Sequence, residues 1–134
     1  VGSEMCIRDR FVDGVTSDSS KDYKSFLDSI EYLDGEGSNI QRLLTAAVGI
    51  SAEGGEFMEI VKKMLFQGKP WDEHNRKHLI IELGDVMWYV MQACKALDIS
   101  IEEVVAGNVD KLKKRYPGGE FNVYQSENRK EGDL

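Results

Sequence analysis

The chain has little proline and little cysteine: two of each in 134 residues. Pro70 and Pro117 leave the whole stretch between them free of that helix breaker. Cys6 and Cys94 stand far apart and neither belongs to a C-x-x-C pair. That excludes zinc-ribbon and thioredoxin-type readings. It leads us to expect a reducing, cytoplasmic setting with Cys94 buried. A long hydrophobic run is also missing. The longest apolar stretch, 79–96, is broken by Glu82 and Asp85, so it does not read as a membrane span. Glu4, Arg8, Asp9, Arg10 and Asp13 break the apolar core that a secretory leader needs. Basic residues are outnumbered, 17 against 24 acids, for a net charge of −7. Such a surface repels a phosphate backbone and an anionic bilayer, so duplex nucleic acid and membranes are not expected partners. No repeat of 20–50 residues is visible. Neither a phosphate loop of the G-x-x-x-x-G-K-S/T type nor a G-x-S-x-G nucleophile elbow occurs.

β-branched alternation is nearly absent, and helical periods dominate. Residues 1–10 show no period and are expected to be partly foreign to the native chain. With 11–20, polar and rich in Ser and Asp, they form an expected N-terminal segment, 1–20, that is loop in character. A first helix is predicted over about 21–33, capped by Ser19 or Ser20. A second, opened by the capping-box pattern Ser38-Asn-Ile-Gln41, runs to about Phe66. A third spans about 72–97. A fourth, opened by Ser100-Ile-Glu-Glu103, runs to about Tyr116 and closes the domain near residue 117. Residues 118–134 read as a polar, loose tail. The expected fold class is all-α: an antiparallel bundle of about four helices. A helical hairpin of this size leaves apolar stripes uncovered, so a homodimer or dimer of dimers is expected.

Four acids stand out. Glu53 and Glu56 are three apart on the second helix, and Glu82 and Asp85 three apart on the third. Residues i and i+3 share a helix face, and both pairs sit in apolar surroundings. Antiparallel packing would bring them together. Carboxylates converging in a half-buried place must protonate, pair with cations or bind a metal. Hard oxygen donors suit Mg²⁺, with Mn²⁺ as the alternative. Gly49, Gly54, Gly55 and Gly84 lie inside the predicted helices. They signal either close helix approach beside the metal or a kink near 49–55. On the fourth helix Asn108, Lys111 and Arg115 share a face, fitting phosphate and base contacts or a basic helix end that complements the helix dipole. His74 and His78 read as a solvated helix start, and no Glu-x-x-His motif occurs. Glu59 and Lys63 form an i,i+4 pair.

Glu53-Gly-Gly-Glu56, then 25 residues, then Glu82-Leu-Gly-Asp85 resembles the E-x-x-E…E-x-x-D signature of the all-α nucleoside triphosphate pyrophosphohydrolases. Within them the chain is similar to single-domain, phage-type MazG-like proteins. The Gly-Asp-Val-Met-Trp-Tyr stretch (84–89), residues 97–103 entering the last helix, and Asn108…Lys111…Arg115 extend the likeness over about 38–120. Ala52 stands where such proteins often carry a further Glu. The resemblance implies hydrolysis of an NTP or dNTP to the monophosphate and pyrophosphate. Glu53, Glu56, Glu82 and Asp85 would hold Mg²⁺, and Asn108, Lys111 and Arg115 the nucleotide. Glu53 or Glu56 would orient or deprotonate the attacking water, with Glu59 a more distant candidate. Two other outcomes stay open: a non-catalytic module that binds nucleotide or metal, and a base-specific dUTPase or dCTPase on the same fold.

Overall fold

In the computed structural model, which describes residues 2–129, every regular element is a helix. In chain order these are α1 (Gly2–Gly14), α2 (Asp18–Lys21), α3 (Tyr23–Gly35), α4 (Ile40–Phe66), α5 (Glu73–Leu97), α6 (Ile101–Arg115) and α7 (Val123–Glu127). The four helices expected from periodicity are α3 to α6, and the all-α class holds. No helix of the described residues is long and apolar enough to cross a membrane.

The N-terminal segment departs from expectation. Residues 2–14 are helical despite lacking an apolar period, and α1 and α2 together cover all of the expected loop over 11–20 except 15–17. The tail holds a turn of helix, α7, capped by Asn122, whose Oδ1 accepts from the Gln125 N–H at 3.1 Å. Val1 and residues 130–134 of the expected segments lie outside the described residues.

Local side-chain chemistry sets the helix starts. Asp22 caps α3, not Ser19 or Ser20; its Oδ2 accepts from the Ser25 N–H and hydroxyl, each at 2.9 Å. These bonds hold its carboxyl below the usual range. Asn39 caps α4 instead of Ser38, because the Ser38 hydroxyl donates to the Leu33 carbonyl at 2.7 Å. Asp72 caps α5 through the Asn75 N–H, and Ser100 caps α6 through the Glu103 N–H. α4 ends in a left-handed Gly68 (φ +70°), and the Lys69 N–H reaches back to the Lys63 carbonyl at 3.1 Å. The same carbonyl accepts from the Gln67 N–H at 3.0 Å, and the positive φ of the turn is one a glycine adopts without Cβ strain.

That short turn reverses the chain, and α5 packs back along α4 in the most extensive helix contact of the molecule. Ala46, Ile60 and Cys94 are buried. Asn75 is the one buried polar residue in the described chain, 1% exposed. Its Nδ2 donates to the Pro70 carbonyl at 2.7 Å, which ties the start of α5 to the turn. Farther along, Arg42 Nη1 donates to Gln92 Oε1 at 2.7 Å across the two helices. Between them lies Gly49, where a Cβ would fall inside the Tyr89 ring. α4 is unbroken, so the kink considered near 49–55 does not occur. Close approach is real at Gly49 alone. At Gly54, Gly55 and Gly84 an added Cβ would meet nothing within 4 Å.

Elsewhere the single chain leaves much apolar surface open. Ile81, Trp88 and Met91 on α5, and Val48 and Met58 on α4, are all exposed. α6 has no extensive contact with either long helix.

The glycines yield a paired prediction. Gly49→Ala forces Tyr89 aside and lowers stability by about 2 kcal/mol or more. Gly55→Ala, in open space on a helix, raises it by about 0.5–1 kcal/mol. Urea unfolding followed by circular dichroism measures both, and equal effects would contradict the packing described.

Candidate metal centre

α4 and α5 run in opposite directions, so residues ascending one helix meet residues descending the other. Gly49 meets Tyr89, and one turn farther on Glu53 meets Glu82 and Asp85. Each of the three offers a carboxylate oxygen, and these oxygens all lie within 4.8 Å of one another. Glu53 and Glu82 are half-buried and Asp85 is exposed. Partial desolvation raises the Glu53 carboxyl above its usual range; the charges of Asp85 and Glu82, a hydrogen bond to Glu82, and the Glu56 charge push the same way. A carboxylate so surrounded is short of positive charge.

The donor set fits a hard divalent cation. All donors are carboxylate oxygens, which Mg²⁺ and Mn²⁺ prefer. Two oxygens on opposite sides of one Mg²⁺ stand about 4.2 Å apart. The three carboxylates are therefore already near the spread that one ion requires. A cation would also cancel the repulsion that raises Glu53.

Among the residues singled out from sequence, Glu53, Glu82 and Asp85 are brought together. Glu56 is not in the group; it is exposed, though close enough to act on Glu53. Helix geometry explains this. Three residues fall about 60° short of a full turn, so two side chains i and i+3 need not reach one point across an interface. Asn108, Lys111 and Arg115 lie on α6: Asn108 is exposed, and Lys111 and Arg115 are half-buried. Glu59 holds Lys62 at 2.9 Å and Lys63 at 3.4 Å. Hydrogen bonds from both lysines keep its carboxyl below the usual range, which makes it a weak proton acceptor.

His78 was not singled out as part of this group. Its Nε2 lies 3.1 Å from Glu82 Oε1, one turn earlier on α5. The i,i+4 spacing of a histidine and an acid was the signal available for it. Tyr89 stood out only as the end of the 84–89 stretch and Gln92 not at all, yet both fix α5 against α4.

The family profile described as MazG nucleotide pyrophosphohydrolase domain matches residues 41–119, from the first turn of α4 to just beyond α6. The Gene 37 protein of Mycobacterium phage L5 is 37% identical over 86 residues, covering 63% of this chain and 75% of that protein. No solved structure matches the chain significantly.

The raised Glu53 carboxyl fixes the sign of a pH effect. The folded, metal-free chain holds this proton more tightly than the unfolded chain does. Stability from this group therefore falls as pH rises through the raised range, and the penalty is complete above it. With chelator present, Glu53→Gln should melt at a higher temperature than the wild type at pH 7. The gain should shrink as pH falls toward the ordinary carboxylate range. Thermal melts at several pH values test this, and a gain that grows toward low pH would contradict it.

Proposed function

The chain belongs to the MazG nucleotide pyrophosphohydrolase family, and on that premise we propose that it hydrolyses nucleoside triphosphates, NTP or dNTP, to the monophosphate and pyrophosphate. One observation carries the reading: three carboxylates from facing helices converge within the segment that the family profile matches. Glu53, Glu82 and Asp85 hold Mg²⁺, with Mn²⁺ as a substitute, and Glu56 completes the acidic set. Bound there, the cation polarises phosphoryl oxygens and offsets the charge that develops in the transition state.

The chain's own groups do the rest. Glu53 and Glu56 are the catalytic carboxylates. Glu56, exposed beside the group of three, orients a water and takes its proton. Asn108, Lys111 and Arg115, spaced three and four on α6, bind the nucleotide, the two cations on phosphate oxygens. A triphosphate arriving with its metal has little net repulsion to overcome, so the acidic surface is no barrier to it.

Self-association is part of the reading. The apolar side chains left open on α4 and α5 need cover, and a second copy of the chain has the matching faces. A homodimer or a dimer of dimers supplies it.

Two experiments test these statements. Incubation with each NTP and dNTP, with pyrophosphate as the readout, should show release that EDTA abolishes. Asp85→Ala should lower turnover at least about 100-fold, because outer-sphere changes alone cost 10–100-fold. Undiminished turnover in that variant would remove the assignment. Sedimentation or light scattering should give a particle at least twice the 15.1 kDa of one chain. A monomer at micromolar concentration would contradict the self-association.

A further inference from the structure

Glu82 is the most enclosed of the acids at the centre for which a contact to a neighbouring base exists. Only 12% of its side chain is exposed, against 42% for His78. An ionised carboxylate accepts hydrogen bonds and donates none, so the hydrogen between them resides on His78 Nε2. A carboxylate offers about four lone-pair sites, and one bond to an imidazole leaves ample capacity for a cation. The i,i+4 spacing on one straight helix means that this contact needs no backbone movement. Glutamate has three side-chain torsions, and without such a bond its carboxylate would sample several positions.

We propose that His78 is a positioning residue: by donating from Nε2 to Glu82 Oε1 it fixes the Glu82 carboxylate in the orientation that faces Glu53 and Asp85. Ligating carboxylates in metal sites are themselves commonly held by hydrogen bonds, and loss of such partners weakens binding. The role is distinct from ligation, since His78 is not one of the three groups whose ligand atoms converge. The inference rests on the metal reading above.

Mn²⁺ binding to the full-length chain tests it, with free Mn²⁺ followed by its electron paramagnetic resonance signal. Wild type, His78→Ala, His78→Gln and Asp85→Ala are compared at one pH. His78→Ala should weaken binding about 10-fold, at the low end of the range for such partners. His78→Gln keeps a donor at the reach of Nε2 and should recover most of that loss. His78 is partly exposed and lies outside the buried core, so helix content by circular dichroism should not change in either variant. Wild-type affinity in His78→Ala overturns the proposal. Equal weakening in the alanine and glutamine variants overturns it as well, since the donor would then not be what matters. Failure of the metal reading itself looks different: no Mn²⁺ bound by wild type, or undiminished binding by Asp85→Ala.

Discussion

Gly49 lets the Tyr89 ring lie against the backbone of α4, and that contact sets how closely and in what register α4 and α5 run. A ring seated where a side chain would otherwise stand cannot slide by a turn without losing its seat. One helical turn farther on, the same register delivers Glu53 opposite Glu82 and Asp85. The Arg42–Gln92 bond on one side and the Asn75–Pro70 bond at the turn hold the two ends of the same pairing. The acidic group therefore inherits its geometry from contacts made by other residues, and needs no attraction among its own members.

That separation of roles matters because the acids repel. Carboxylates crowded this closely work against folding unless something positive joins them. Lys62 and Lys63, farther along α4, are both engaged by Glu59. Added positive charge would relieve that repulsion, and an acidic cluster between helices fits a divalent cation. The −7 of the whole chain thus divides into a solvated part and a part concentrated at one place for a purpose.

Most features read within one helix were legible in the sequence; across two helices the meeting of the acidic turns was expected, but its exact members were not. Asp72 and Ser100 were found as helix starts because a cap bonds to a backbone group two or three residues away. The start at Asn39 was missed by one residue. Ser38 has the same capping chemistry, and only the nearby Leu33 carbonyl decides between them. The i,i+3 acids identified the right turns of α4 and α5. They did not say that Glu56 would stand apart, since the rotation of one helix against the other is set by packing. Gly49, Gly54 and Gly55 are identical letters; only Tyr89 on the opposite helix tells the first from the others. α1 was invisible because an exposed helix without an apolar stripe leaves no period to detect.

The unbroken course of α4 between Gly49 and Glu53 has a consequence for how this sequence can vary in length. Each residue added or removed inside that interval would rotate everything beyond it by about 100°. Either Gly49 would then leave the Tyr89 ring or Glu53 would turn away from Glu82 and Asp85. The tail beyond α6 carries no such phase relation. Insertions and deletions are therefore better tolerated there, while between the glycine and the first acid the spacing is held to the residue.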